Sequence, residues 1–292
     1  MPPMSLDDLP PLRDVITSHD LGAKKAFGQH FLLDLNLTAK IARLAGDMSR
    51  DQAIEVGPGP GGLTRAILAE GAASLLAVEM DARFLGALEE INLASGGRLT
   101  VERGDALAVD ERTLLTGPGD KVILSNLPYN VGTQLLIKWL QAEPIWWRRA
   151  VLMFQREVAD RVVAAPGDKA YGRLAVISQS RCSARLALKI PARAFTPPPK
   201  VESAVVVLDP LPEAQQFKDV VALERITASA FGQRRKTLRR SLSQAAGQAG
   251  TSADALLEAA RIDPGARAEV IDIEGFQTLA RTWRAAYEAS RS

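Results

Sequence analysis

The sequence predicts an α/β fold in which a Rossmann-like domain over residues 1–210 precedes a small all-helical domain over residues 211–292. Short apolar runs alternate with helical windows from Ala53 to about residue 150, which is typical of parallel strands joined by right-handed crossovers. A glycine-rich turn, GPGPGG at 57–62, separates the first run from its helix. Beyond about Leu211 only helical windows follow, so no further strand is expected.

The first half of the chain contains four predicted parallel strands. A helical pattern runs through Leu44 before them, and LTRAILAEG, after the glycine turn, is predicted to be a helix closed by Gly71. The four strands are AIEV at 53–56, SLLAVEMD at 74–81, RLTVERGDAL at 98–107 and DKVILSNLPY at 120–129.

The next stretch is less regular. AVLMFQ at 150–155 is predicted to be a strand, and helical windows follow at 156–166 and 171–182. Two further apolar runs, RLALKI and SAVVVLDP, flank the loop FTPPPK at 195–200. We expect these two runs to pair as an antiparallel hairpin at the sheet edge.

Composition limits the protein classes that remain. The chain has 292 residues, 47% hydrophobic and 24% charged, which is ordinary for a globular protein and excludes disordered and collagen-like classes. No stretch reaches the roughly 18 consecutive apolar residues of a membrane helix, and the first residues are proline-rich and acidic rather than basic. We therefore expect a cytoplasmic protein with no membrane partner.

The sequence has few of the cysteine and histidine residues that disulfides and zinc sites require. Cys182 is the single cysteine, which rules out an internal disulfide. His19 and His30 are the only histidines, so zinc sites of the deaminase or protease type lack their ligands. We expect catalysis without a metal.

The net charge of +2 is unevenly distributed. Residues 1–150 carry 15 basic and 19 acidic side chains, and residues 151–292 carry 21 and 15, giving −4 and +6. The positive half is compatible with a polyanionic partner, although solvated helix faces would give the same count.

The glycine turn and Glu79 form the first candidate site. Gly57, Gly59 and Gly62 occupy the three positions of a dinucleotide-type fingerprint, and Glu79 ends the next strand about 20 residues later, where a carboxylate can accept hydrogen bonds from ribose hydroxyls. A purely structural turn and a solvated carboxylate remain the alternatives. Together the two features favour a ligand that contains adenosine.

Two further strand ends carry polar groups. Asp105 follows the third strand, where it could accept from an adenine amine or simply cap the next turn. Asn126-Leu127-Pro128-Tyr129 ends the fourth strand. The Asn126 amide oxygen and the Leu127 carbonyl could hold the hydrogens of an adenine N6, and Tyr129 offers a stacking face worth about 1–3 kcal/mol. These four residues are the predicted catalytic group, with a plain turn as the alternative.

These motifs together resemble those of a known family. The order GQHFL, EVGPG, VEMD, GDA, NLPY, YGRL and FTPPPKVES closely resembles the ribosomal RNA adenine dimethyltransferases of the bacterial small-subunit branch, over nearly the whole chain after Gly22. The resemblance implies a class I S-adenosylmethionine-dependent methyltransferase fold. It also implies S-adenosylmethionine as methyl donor and two adjacent adenosines in the 3′-terminal hairpin loop of small-subunit rRNA as acceptors.

The resemblance assigns residues to the donor and the RNA. The donor-binding positions fall on His30, Leu32, Gly57, Gly59, Glu79, Asp105 and Asn126. The family usually has asparagine at the position of His30, so this side chain could contact the donor or leave the contact to its backbone. A basic segment matches Arg234, Arg235, Lys236, Arg239 and Arg240, where the family typically has asparagine in place of the last arginine.

Three functions compete at this stage. The first is rRNA adenine N6,N6-dimethylation coupled to small-subunit biogenesis, by a monomer that binds small-subunit rRNA and the immature small subunit. The second is an RNA-binding ribosome assembly factor with secondary methyltransferase activity, which the basic segment and the proline loop would also serve. The third, a nicotinamide oxidoreductase, shares the glycine turn and Glu79 but leaves the segment from Asn126 to Tyr129 without a role.

Overall fold

A computed structural model describes residues 5–23 and 29–291 of the chain. Residues 24–28, which include the glycine of the GQHFL motif, lie outside the described residues. The chain forms two compact units. The first comprises Met1–Lys138, Trp146–Ala159 and Arg185–Asp209, and the second comprises Trp139–Ile145, Asp160–Ala184 and Pro210–Ser292.

Nine strands are present in the described chain. They are β1 Phe31–Leu32, β2 Gln52–Val56, β3 Ser74–Glu79, β4 Leu99–Arg103, β5 Lys121–Asn126, β6 Arg149–Gln155, β7 Cys182–Ile190, β8 Phe195–Thr196 and β9 Ser203–Pro210. Seven of them form one sheet in the order β4-β3-β2-β5-β6-β9-β7. The five strands from β4 to β6 are parallel, and β9 is antiparallel to β6. The predicted α/β fold class is thereby confirmed.

Thirteen α-helices accompany the described strands. They are α1 Leu12–Ser18, α2 Leu35–Ala42, α3 Gly62–Ala69, α4 Leu85–Ala94, α5 Glu111–Leu114, α6 Gly132–Gln141, α7 Arg156–Val163, α8 Arg173–Gln179, α9 Val220–Phe231, α10 Leu238–Ser241, α11 Ser243–Gln248, α12 Ala253–Ala259 and α13 Ile273–Ala289. Several begin at a side-chain cap, as where the Asp34 carboxylate accepts from the amides of Asn36 and Leu37 at the start of α2. Among the described helices, none is long and apolar enough to cross a membrane.

The order in which strands are added to the sheet reverses between β2 and β5, which are parallel neighbours. From β2 it moves outward through β3 to β4, and it then returns to the other side of β2 to place β5. Ligands of doubly wound sheets bind at such a reversal, beyond the carboxyl ends of the strands. The core beneath it contains fully buried apolar side chains from several strands, such as Ala53, Ala77, Val122 and Val151.

A two-stranded sheet that the sequence pattern does not predict lies beside the main one. β1 pairs antiparallel with β8, with Phe31 opposite Thr196 and Leu32 opposite Phe195. Two residues per strand are too few to show an alternating pattern, so only the fold brings these segments together. β7 lies next to β9 at the edge of the main sheet, where a closing hairpin was expected.

The regular structure of the second unit, among the residues that the structure describes, is helical apart from the first residues of β7 and the last residue of β9. Its core contains Leu223 and Ile226 of α9 with Phe276 and Leu279 of α13, all fully buried. The indole nitrogen of Trp283 donates to the Ala245 carbonyl at 2.7 Å. Residues 139–145 and 160–184 belong to this unit, although the sequence pattern alone groups them with the preceding strands. The predicted boundary after residue 210 stays a prediction.

Candidate active site

One cavity of about 340 Å³ in the first unit contains every site residue predicted there. Its wall is built from the segments that follow β2, β3, β4 and β5, together with β1. The predicted residues in this wall are His30, Leu32, Gly57, Gly59, Glu79, Asp105, Asn126, Leu127, Pro128 and Tyr129. A volume of this size falls at the small end of the range of about 300–1,000 Å³ for small-molecule sites.

The glycine turn is tied to Glu79. The Gly59 amide, on a residue with φ of +54° that favours glycine, donates to Oε2 of Glu79 at 3.1 Å. The Asp81 amide donates to Oε1 of the same carboxylate at 2.7 Å. Glu79 is 6% exposed, and burial raises its pKa. It is therefore an oriented, buried acceptor rather than a solvated strand end.

A second buried carboxyl, Glu55, lies at the start of the same turn. The Thr64 hydroxyl donates to its Oε2 at 2.6 Å, and the side chain is part of the cavity wall. Burial raises the pKa of Glu55 to about 8, so the group is mostly protonated at pH 7. The sequence showed an acid at this strand end but gave no sign that it would be neutral.

Asp105 is held in a turn that Lys138 fixes from behind. One carboxylate oxygen of Asp105 accepts from the Leu107 amide at 2.9 Å, as a capping residue would, and the residue also lies in the cavity wall, so both interpretations of Asp105 remain predictions. The Lys138 ammonium donates to the carbonyls of Ala106, at 2.7 Å, and of Val109. It also donates to the buried carboxylate of Glu111 at 2.9 Å. All three donors of the ammonium thus bind the segment that carries Asp105.

The side chain of Asn126 is oriented by the backbone of His30, the residue that precedes β1. Its Nδ2 donates to the His30 carbonyl at 3.2 Å. A carbonyl oxygen can only accept, so the amide nitrogen must face His30 and Oδ1 must point elsewhere. Oδ1 is therefore available as an acceptor within the cavity wall.

The His30 ring connects the cavity to the proline loop. Its Nδ1 lies 2.7 Å from the Pro197 carbonyl, which can only accept, so Nδ1 carries a proton. The ring centroid lies 5.6 Å from that of Tyr129. The Tyr129 hydroxyl forms a 2.8 Å hydrogen bond with the Ser203 hydroxyl, and burial raises the pKa of Tyr129. His30 thus makes two contacts: its carbonyl accepts from the side chain of Asn126, and its ring donates to the proline loop.

Two aromatic rings of the sequence motifs, those of Tyr129 and of Phe195 in the FTPPPK loop, differ in their exposure. Phe195 is 2% exposed and belongs to the hydrophobic core, so its ring is not available to a ligand. Tyr129 is half-buried and lies in the cavity wall.

The chain matches known proteins over most of its length. A family described as ribosomal RNA adenine dimethylase matches residues 21–282. The chain belongs to this family. It is 91% identical, over 99% of its length and all of the relative's, to ribosomal RNA small subunit methyltransferase A of Maricaulis maris. It is 56% identical, over 95% of its length and 98% of the relative's, to the protein of the same name from Ruegeria pomeroyi. The predicted family and enzyme class are confirmed.

Solved structures agree with the dimethylase fold. A dimethyladenosine transferase from Plasmodium falciparum superposes with a TM-score of 0.73 at 25% identity, covering 88% of this chain and 98% of that one. The 23S rRNA methyltransferase ErmE superposes with a TM-score of 0.62 at 24% identity, covering 87% and 99%, and shows the shared fold alone.

A network that the sequence did not predict lies at the rim of the dimethylase cavity. Arg83 donates to both carboxylate oxygens of Asp81, which lowers the pKa of Asp81 to about 2. The Gln29 amide lies between them, donating to Asp81 at 3.3 Å and accepting from Arg83 at 3.4 Å. Arg83 also donates to the Gly22 carbonyl at 3.2 Å. This network fixes Gln29, which lies in the cavity wall next to His30.

The predicted RNA-binding segment of the dimethylase divides into two groups in the second unit. Arg234 donates to the carbonyls of Lys169 and Tyr171, and Arg239 forms an ion pair with Asp254 at 2.6 Å. Arg235, Lys236 and Arg240 are exposed. Within residues 5–23 and 29–291 these three have no ion-pair partner. They are the side chains best placed to meet a phosphate.

No metal centre is evident in the part of the chain that the structure describes, where no group of three or more His, Cys, Asp or Glu side chains could hold an ion.

Proposed function

We propose that this protein transfers methyl groups from S-adenosylmethionine to the N6 atoms of two adjacent adenosines in the 3′-terminal hairpin loop of small-subunit rRNA, two per base. The arrangement of Asn126 carries this proposal. Its Oδ1 is left as an acceptor by the bond from Nδ2 to the His30 carbonyl, in the same cavity as the glycine turn and two carboxylates. The relatives named small subunit methyltransferase A support the choice of RNA.

The chemistry of the cavity wall fits the methyl donor. Glu79 is a buried acceptor for ribose hydroxyls, and Asp105 is an acceptor for the adenine amine. The turn that contains Gly57 and Gly59 lets a ligand approach the backbone closely. When bound, the donor supplies an electrophilic methyl group on a sulfonium.

The residues that end β5 prepare the acceptor nitrogen. The lone pair of adenine N6 is delocalised into the ring, so N6 becomes nucleophilic only when its hydrogens are held by acceptors that favour a pyramidal geometry. Oδ1 of Asn126 and the Leu127 carbonyl are such acceptors, and both stabilise the positive charge that develops on N6 as its bond to the methyl carbon forms. As this bond forms, the bond between the methyl carbon and sulfur breaks, its electron pair stays on sulfur, and S-adenosylhomocysteine leaves, while the N6 proton is lost to solvent.

The chain contributes mainly positioning to this reaction. Alignment of an electrophile and a nucleophile at a fixed distance is worth up to about 7–11 kcal/mol in favourable systems. Tyr129 gives the target base a stacking face, since Phe195 is buried. An unpaired loop adenosine leaves its stack at a cost of only a few kcal/mol.

The second unit supplies RNA affinity in this proposal. Arg235, Lys236 and Arg240 bind phosphates, and each contact steepens the salt dependence of binding by about 0.7–0.9. The partners are small-subunit rRNA and the immature small subunit, met in the cytoplasm by a monomer. These exposed cations would equally serve an assembly factor whose methyl transfer is secondary.

One experiment separates the two functions. The protein is incubated with labelled S-adenosylmethionine and unmethylated small subunits, the RNA is digested, and the labelled nucleosides are identified and mapped. We expect dimethyladenosine at the 3′-terminal hairpin. Absence of label from both subunits and naked RNA would overturn the transferase proposal and leave the assembly factor.

A further inference from the structure

A second basic segment precedes the predicted RNA-binding segment in the sequence. Residues 169–201 contain seven lysines and arginines and no aspartate or glutamate. Arg173 and Arg181 pair with glutamates within the second unit. The four that lie in the first unit are Arg185, Lys189, Arg193 and Lys200.

These four cations differ from most others of the first unit. All four are exposed, and none forms an ion pair with any residue that the structure describes. Other exposed arginines of this unit have acidic partners, as in Arg43 with Glu70 at 2.8 Å and Arg112 with Asp110 at 3.0 Å, whereas Arg13, Lys40, Arg50 and Arg103 are exposed and, within the described chain, unpaired like the four but are scattered along the sequence. What sets the four apart is that they follow one another in a stretch without aspartate or glutamate, which ends at the exposed Glu202.

Two of these side chains, those of Arg185 and Lys189, lie on the edge strand β7. Successive residues of a strand point to opposite faces, so Arg185 and Lys189 share one face of β7, about 13 Å apart along the strand. That face is exposed at both positions, while Ile190 on the opposite face is buried. β7 is the last strand of the sheet, so no further strand of the described chain covers its outer side.

The other two cations connect this face to the cavity. Arg193 lies in the short turn between β7 and β8, two residues before Phe195, which pairs with Leu32 of the cavity wall. Lys200 lies three residues after Pro197, whose carbonyl accepts from the His30 ring. Along the chain, the four cations thus run from the edge strand to the loop whose Pro197 carbonyl contacts the His30 ring.

We propose that Arg185, Lys189, Arg193 and Lys200, the β7 cationic face, bind the phosphate backbone of the RNA that flanks the target adenosines. This inference rests on the proposed function. The face gives the first unit its own RNA contact, separate from the basic segment of the second unit. It would orient the RNA at the entrance of the cavity, and phosphate contacts of this kind set register without reading sequence.

Protection of the sheet edge is the competing explanation. Charged side chains on an edge strand prevent pairing with another chain, which would account for Arg185 and Lys189. It does not account for Arg193 and Lys200, which lie outside β7. The two explanations differ in what they predict for RNA binding.

The test neutralises three of the cations together. The triple variant Arg185→Gln, Lys189→Gln, Arg193→Gln is compared with wild type and with a charge-matched control, Arg13→Gln, Lys40→Gln, Arg50→Gln. The control positions are exposed in the same unit and lie outside the cavity wall. Binding of a small-subunit rRNA fragment with the 3′-terminal hairpin is titrated at several salt concentrations, and binding of S-adenosylhomocysteine by calorimetry reports an intact cavity.

We expect RNA affinity at low salt to fall at least about tenfold in the β7 variant, with a salt slope shallower by about two to three. The control should keep the wild-type slope, and both variants should bind S-adenosylhomocysteine normally. Equal affinity and slope in the two variants would overturn the proposal in favour of edge protection. Failure of wild type to methylate the RNA would instead count against the proposed function, whatever the binding data show.

Discussion

The Asn126 amide and the His30 carbonyl are joined by a 3.2 Å hydrogen bond across 96 positions of sequence. Because the carbonyl can only accept, this single contact decides which end of the amide is left for a substrate. It links the end of β5, where catalytic residues were predicted, to His30, the residue before β1, where a contact with the methyl donor was predicted. Residues of two separate sequence motifs, NLPY and GQHFL, thus together orient Oδ1 of Asn126.

Removal of the Asn126 side chain should abolish transfer while RNA binding persists. In Asn126→Ala the N6 amine loses its acceptor, and loss of one oriented hydrogen-bonding group at a reacting centre costs about 10²–10³ in rate. Single-turnover methylation and RNA titration measure the two effects. Asn36→Ala, an exposed position on α2, is the control and should leave both unchanged. Parallel loss of transfer and RNA affinity would count against the assigned role.

His30 should act through its N–H donor to the proline loop. His30→Ala removes the bond to Pro197, and loss of one hydrogen bond worth about 1–1.5 kcal/mol should lower kcat/KM for RNA roughly tenfold. His30→Asn keeps an N–H donor and the backbone carbonyl that holds Asn126, so it should retain most activity. Steady-state kinetics of both variants measure this. If alanine has no effect, the ring is a bystander.

The Lys138 ammonium should stabilise both the fold and donor binding. Lys138→Met removes the ion pair with the carboxylate of Glu111, which is 2% exposed, so we expect a loss of about 2–3 kcal/mol in the free energy of unfolding. The double variant Lys138→Met, Glu111→Gln should recover part of that loss. In both, the turn that holds Asp105 loses its anchor, so KM for the donor should rise about tenfold with kcat little changed. Urea unfolding and kinetics test this, and an unchanged KM would refute the positioning role.

The stability of the protein should fall between mildly acidic and mildly alkaline pH because of Glu55. Its pKa is about 8 in the folded chain and near 4.5 when unfolded, so the folded state binds the extra proton between these values. Each pH unit in that window therefore costs up to about 1.4 kcal/mol from this group. Glu55→Gln, which cannot ionise, should show a flatter profile in urea unfolding from pH 5 to pH 8. A profile as steep as wild type would assign the effect to another group.

Sequence patterns predicted the strand ends but not the contacts between them. Glu79, Asp105 and Asn126 were recognised because parallel strands bring their carboxyl ends to one edge, so position along each strand was sufficient. Lys138 and Arg83 were missed. Lys138 binds a carbonyl 32 positions away, and Arg83, although it lies two residues from Asp81, also reaches Gly22 and Gln29, 61 and 54 positions away, so the pattern carries no signal for these roles.

The basic segment shows the same limit at the surface. Five cations in seven residues predicted phosphate binding, yet Arg234 and Arg239 have partners within their own unit. The choice between an internal partner and solvent depends on which groups the helices bring near, and composition cannot report it.

The sequence by itself determined the alternation of strands and helices, the glycine turn and the order of motifs, since these depend on local periodicity and on residue types at fixed spacing. Only the tertiary structure decided that β1 pairs with β8, that Phe195 is buried, and that Asn126 turns its nitrogen to His30. The β1–β8 pairs and the Asn126–His30 bond join residues 96 to 165 positions apart. Their energies arise only when the chain has already closed around them, which is why local sequence holds no record of them.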